Sequence, residues 1–164
     1  MRSPKDKMKI NIIAVGKIKE KYLKEAIDEY KKRLSKFCTL NIVEVNESVA
    51  RIENDSNIKK SLQDEAQSII SKIKNEYVIV LDIEGKEYST IEVSEKIKEI
   101  TLKGVSELSF IIGGSYGLDN SVKKRADLRI SFSRLTFPHQ LFRVILLEQI
   151  YRVFKIINKE PYHK

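Results

Sequence analysis

The 164-residue sequence predicts an α/β domain, three layers deep, around a mainly parallel five-stranded sheet. Three observations carry that expectation. Short apolar runs alternate with longer segments of helical period. The alternation occurs five times along the chain, the signature of successive strand–helix units. No tract is repeated, of low complexity or linker-like, so nothing divides the chain. The length fits one domain, which the pattern places at residues 8–164. A domain of that size can bury a core without disulfides or metals. Residues 1–7 ("MRSPKDK") carry no pattern and read as an extension or a cloning remnant.

The elements follow in order. "KINIIAVG" (9–16) is an apolar run ending in glycine, a buried strand. "KEKYLKEAIDEYKKRLSKF" (19–37) spaces Tyr22, Leu23, Ala26, Ile27, Tyr30 and Leu34 along one helical face. "TLNIVEVN" (39–46) alternates as a strand, and residues 47–57 are a polar loop. "IKKSLQDEAQSIISKIK" (58–74) is a second amphipathic helix. "YVIVLDI" (77–83) is a third strand, "EGKEYST" (84–90) a turn, and "IEVSEKIKEITLKG" (91–104) a helix stopped by glycine. "LSFIIGG" (108–114) is a fourth strand, "SVKKRA" (121–126) a short helix and "LRISFS" (128–133) a fifth strand. Pro138 stands at the first turn of a long apolar helix, 139–157. That helix is apolar nearly all round, so one side packs on the sheet and the other asks for a second surface. A homodimer supplies one at least cost.

Composition excludes several functions. One cysteine, Cys38, rules out an internal disulfide and a multi-cysteine zinc site. With His139 and His163 as the only histidines, a multi-histidine metal site is excluded too. No run reaches the roughly 18 apolar residues of a membrane span. The N-terminal stretch lacks a signal-peptide core. A cytoplasmic location is the expectation. The formal charge of +8 is uneven: Ser121–Lys164 carries ten Lys/Arg against Asp127, Glu148 and Glu160, a net +7. Such a field attracts polyanions, and RNA fits better than a membrane. Lys123, Lys124, Arg125, Arg129, Arg134 and Arg143 are the candidate phosphate contacts.

In sheets of this class the ligand crevice lies beyond the C-terminal strand ends. Three of those ends are chemically suggestive: "LDIEG" (81–85), "IIGGSYG" (111–117) and "SFSRLTFP" (131–138). None is a Rossmann fingerprint or a P-loop. Gly113 and Gly114 let backbone approach a ligand, or simply make a tight turn. Ser133, Arg134 and Thr136 offer hydroxyls and a cation before a helix start, or only an ordinary helix entry. His139 reads as structural, and "PYHK" alone reads as a frayed terminus.

"MKINIIAVGKIKEKY", "VLDIEGK", "FIIGGSYGL" and the block from "SFSRLTFPHQ" to "PYHK" together resemble the RlmH family. These are SPOUT-class enzymes that methylate N3 of a pseudouridine in large-subunit (23S) ribosomal RNA. The resemblance runs from Met8 to Lys164. It implies a C-terminal trefoil knot, S-adenosylmethionine as methyl donor without a metal, and a homodimer across the last helix. Large-subunit RNA within the ribosome is the implied partner, rather than DNA or a membrane. The implied donor site is Leu81, Gly113, Gly114 and Ser133, Arg134, Leu135, Thr136, Phe137 and Pro138. Arg152, Tyr162 and His163 are the implied catalytic candidates. The acceptor N3 must lose a proton, so the chemistry needs a base, or a cation beside the developing anion. Rival readings are a SPOUT enzyme for another RNA base and a non-catalytic RNA-binding protein.

Overall fold

A computed structural model describes residues 7–164. The elements are β1 (Met8–Val15), α1 (Lys21–Leu34), β2 (Cys38–Val45), α2 (Asp55–Ile70) and β3 (Tyr77–Glu87). They continue with α3 (Thr90–Leu102), β4 (Glu107–Ile112), α4 (Asn120–Arg125), β5 (Leu128–Ser131) and α5 (His139–Ile157). The five strands form one sheet in the order β2-β1-β4-β3-β5, and every pairing is parallel.

The inner strands β1 and β4 and the first half of β3 are largely apolar because both faces are covered, whereas the edge strand β2 alternates buried and exposed residues. Ile10, Ile12 and Ala14 of β1 pack with Leu23 and Ile27 of α1, Ile97 of α3 and Leu146 and Ile150 of α5. Ile13 and Val15, the intervening residues, pack with Ala66 and Ile69 of α2 and Val122 of α4. Helix α5 lies against both α1 and α3. Its buried set is Arg143, Leu146, Leu147, Ile150, Tyr151, Val153 and Phe154, while Leu141 stays 41 % exposed.

Among the boundaries that differ from the sequence reading, four bear on the site or have a visible local cause. Residues 84–87 are not a turn but the continuation of β3, which pairs again with β5 at Lys86 and Glu87 after a register shift. The bulge is local chemistry: Asp82 Oδ1 accepts the Glu84 N–H at 3.1 Å. A Cβ on Gly85 would lie 2.9 Å from the Asp82 carbonyl oxygen and 3.0 Å from Arg129 backbone, so only glycine fits there. Helix α2 begins at Asp55, because the Asn54 side chain accepts the Asn57 N–H at 2.8 Å and caps it. The same helix ends at Ile70, short of residue 74. Pro138 is the N-cap of α5 rather than a first-turn residue. Of the proposed extension, residues 1–6 lie outside the described residues, and Lys7 Nζ donates to the Ser35 carbonyl at 2.7 Å.

Candidate active site

All strands being parallel, their C-terminal ends open on one edge. There the bulged stretch of β3 from Leu81 to Glu84 and the turns after β4 and β5 converge on a cleft of about 430 Å3. Leu81, Gly113, Gly114, Ser133, Leu135, Thr136 and Phe137 line it, seven of the nine residues expected at a donor site. Arg134 and Pro138 do not. Ser133 Oγ accepts the Leu135 N–H at 3.0 Å, which turns the chain at Arg134 and leaves that side chain exposed. Pro138, spent on the helix cap, is exposed as well.

The middle turn is built from backbone. Gly117 N–H donates to the Gly114 carbonyl at 3.1 Å, and Gly117 takes φ +84°, a conformation that favours glycine. A Cβ on Gly113 would come within 2.6 Å of the Gly117 carbonyl oxygen. One on Gly114 would press on Val15 at 3.0 Å. The turn therefore folds back flush against its neighbours.

Of the remaining wall, Phe132 and Phe142 were not singled out from sequence, and His139 reads there as structural. Phe132 and Phe142 meet edge to face at 5.0 Å, and Phe137 stacks on Phe142 at 5.9 Å. His139 also lines the cleft, and its Nε2 is buried with no partner. A buried polar atom on a cleft wall asks for a ligand or a water. On the opposite side, Asp82 receives Arg129 Nε at 3.0 Å and Lys123 Nζ at 3.6 Å. Burial pushes the Asp82 carboxyl up, but Arg129, the Glu84 N–H and Lys123 together hold it below its ordinary value.

These pairings correct the RNA assignment. Lys123 and Arg129 are bound to Asp82 and Glu84. Arg125 donates to the carbonyls of Lys74 and Glu76 and faces Asp127. Arg143 is 1 % exposed. Its guanidinium donates to Glu44 at 2.7 Å and to the Gly16 carbonyl at 3.2 Å, so it is a buried strut, not a phosphate contact. Of the six candidates, Lys124 and Arg134 are exposed and outside any ion pair among the described residues.

The three catalytic candidates meet elsewhere, at the end of α5. Glu148 accepts Arg152 Nε at 2.7 Å, the Tyr162 hydroxyl at 3.1 Å and the Tyr30 hydroxyl at 2.5 Å. Lys159 turns the chain back at φ 55°, and Glu160 is held by Lys155 at 2.6 Å. The terminus is thus docked rather than frayed. Arg152 NH1 lies 3.2 Å from His163 Nδ1. A guanidinium can only donate, so Nδ1 accepts and the ring N–H of the neutral form sits on Nε2. His163 lines a second, more apolar cleft of about 500 Å3 between α3 and α5. The two clefts share Ile130, Phe132 and Phe137 as a common wall.

The first cleft falls within the about 300–1,000 Å3 range of cofactor sites. Its apolar walls suit a flat base, its glycine turns present backbone groups, and Ser133, Thr136 and His139 supply polar atoms. S-adenosylmethionine, with an adenine and a polar amino-acid end, fits that donor set.

Comparisons with known proteins agree. A family model described as "Predicted SPOUT methyltransferase" matches residues 8–163. The ribosomal RNA large subunit methyltransferase H of Clostridium novyi is 55 % identical over 161 residues, covering 96 % of this chain and 100 % of that protein. The protein of the same name from Clostridioides difficile is 53 % identical over 159 residues, with the same coverage. In fold, the chain resembles a probable methylase family protein from Haemophilus influenzae Rd KW20, with TM-score 0.53 at 11 % identity. That match covers 94 % of this chain and 70 % of the other. The chain belongs to the RlmH family of SPOUT methyltransferases.

Proposed function

We propose that this protein transfers a methyl group from S-adenosylmethionine to N3 of a pseudouridine in large-subunit ribosomal RNA, acting on assembled ribosomes as a homodimer. One observation carries the reading: seven of the nine expected donor residues, from three separate segments of the chain, line a single cleft. The relatives' names supply the RNA class.

S-adenosylmethionine supplies, when bound, a methyl group on a cationic sulfur that leaves as a neutral thioether. The chain's part is to hold and orient. Leu81 and Phe137 offer apolar contact, the 113–117 turn offers backbone groups, and Ser133 and Thr136 offer hydroxyls. Methyl transfer is an in-line displacement, so positioning accounts for much of the rate. On the acceptor side N3 loses its proton to solvent water, and its nitrogen lone pair takes the methyl as the sulfur–carbon bond breaks. With Nδ1 engaged by Arg152, His163 presents an N–H donor rather than a lone pair. Arg152 and His163 then act best by stabilising the anion that develops on the acceptor base.

A dimer would bring these groups to a donor cleft. Leu135, Phe137 and Leu141 at the start of α5 are 72 %, 36 % and 41 % exposed, apolar surface that a second copy would cover. The trefoil knot is part of the same proposal. Residues 132–138 run back from the edge strand β5 to α5, whose first residue, His139, stands by Gly16 at the end of β1.

The test is methyl transfer from labelled S-adenosylmethionine to ribosomes lacking the modification, with free ribosomal RNA alongside. Label on the large-subunit RNA of assembled particles is expected. Donor binding without label on either substrate would move the activity to another RNA.

A further inference from the structure

The connection from β1 into α1 has an unusual surface. Lys17, Lys19, Lys21, Tyr22 and Lys24 are exposed, while Ile18 and Leu23 among them are buried and fix the segment to the core. Tyr22 is 68 % exposed, more than any other aromatic side chain among the described residues. Its hydroxyl and ring have no partner among the described residues, and Lys17, Lys19 and Lys24 form no ion pair among them. Lys21 meets Glu25 at 3.7 Å with both side chains in water, a contact worth little. This is the reverse of Lys123, Arg125 and Arg129, whose charges are spent inside the protein. The N-cap of α1, Glu20, makes no side-chain capping hydrogen bond.

The place matters as much as the charge. The segment leaves the strand edge on which the donor cleft opens. A Cβ on Gly16, one residue before Lys17, would stand 3.5 Å from Nε2 of His139, a cleft-wall residue. Ser115 on the same wall donates to Glu47 at 2.8 Å, and Glu47 reaches within 3.8 Å of that Gly16 position.

We propose that Lys17–Lys24 is the surface that seats the acceptor RNA, with Tyr22 stacked on a base near the target and the lysines on flanking phosphates. The proposal deepens the RNA-methyltransferase reading and rests on it. A lone exposed ring among cations matches nucleic acid, because every base offers a π-face and each nucleotide a phosphate. It does not match a protein interface or a bilayer, which would need contiguous apolar surface, and here the neighbouring Ile18 and Leu23 are buried.

The test uses the full chain and large subunits lacking the modification. Tyr22→Ala should raise the KM for subunits about tenfold, the loss of one base–aromatic stack, with donor affinity unchanged. Tyr22→Phe, which keeps the ring, should restore the KM. Changing Lys17, Lys19 and Lys24 together to Gln should lower the slope of log affinity against log salt by about 2 to 3. A Lys31→Gln/Lys32→Gln control at the far end of α1 should alter neither quantity. Wild-type KM and salt slope in the test variants would overturn the surface. If the wild type transfers no methyl to subunits, the methyltransferase reading fails instead. Binding of the same variants to large-subunit RNA then decides the surface: weakened binding supports it and parity overturns it.

Discussion

The donor cleft and the C-terminal tail are built by opposite means. The cleft is shaped by main chain: a glycine turn closed on itself, and a 133–138 segment pinned by one hydroxyl while most of its side chains stay in water. The tail is held by side chains converging on one carboxylate. Glu148 gathers Arg152, Tyr162 and Tyr30, and Tyr162 packs edge to face on Tyr151 at 4.8 Å. A backbone-built site tolerates side-chain exchange except where a Cβ cannot fit. A side-chain hub fails when its one acceptor changes. The two regions should therefore break under different substitutions and in different assays.

The largest expected effect is at the cleft. In Gly113→Ala the new methyl would lie 2.6 Å from the Gly117 carbonyl oxygen, so the turn must open. Overpacking of this kind costs about 2–3 kcal/mol, which is roughly 30- to 150-fold in donor affinity. Calorimetric titration with S-adenosylmethionine reads it directly, and wild-type affinity would refute a backbone-built cleft. The tail comes next. Glu148→Gln removes the negative charge that three donors share, and charge-assisted bonds contribute about 1.5–3 kcal/mol each. Turnover should fall about tenfold or more while donor affinity stays at wild type. His163→Ala should show the same split. Unchanged turnover in His163→Ala would clear that residue of any role.

The two regions were also unequally legible in the sequence. The inner strands announced themselves because they are buried on both faces, and apolar runs such as "NIIAV" and "SFII" need no partner to be recognised. The three cleft-lining segments followed from strand direction and glycine. What the sequence could not convey was pairing over distance. The partners of Glu148 were hidden, because Tyr30 lies 118 residues upstream and the tail returns only through the left-handed Lys159. Arg143 looked like a cation for RNA, because Glu44, its partner, is 99 residues away. The extension of β3 past Gly85 depends on Lys86 and Glu87 meeting β5, which no local period encodes. Phe132 and Phe142, ten residues apart, meet on the cleft wall only because the turn between them folds back. Local patterns carried the fold and the backbone-built site; the charge network had to be seen folded.

The smallest expected effect tests the hub through pH. Burial first, and then the hydrogen bond to Glu148, push the Tyr30 hydroxyl up to about 12 from an ordinary value of 10.0. The folded state thus holds this proton more tightly than the unfolded chain. Its contribution is complete below pH 10 and is lost as pH rises through about 12. Two such units correspond to at most about 2.7 kcal/mol, and partial exposure of the ring brings the expectation nearer about 1 kcal/mol. Burial raises the Cys38 thiol over an overlapping range, from 9.0 to about 12, so the wild type alone cannot isolate Tyr30. The comparison with Tyr30→Phe can, since Cys38 is common to both. Urea midpoints should favour the wild type at pH 8, and the margin should close between pH 10 and 12; a margin constant with pH would remove Tyr30 from the hub. Donor affinity measured across the same range should not follow that margin, because no atom of the cleft wall bonds to Tyr30 or Glu148. An affinity that fell in step with it would mean that tail and cleft move as one unit, coupled through their shared wall of Ile130, Phe132 and Phe137.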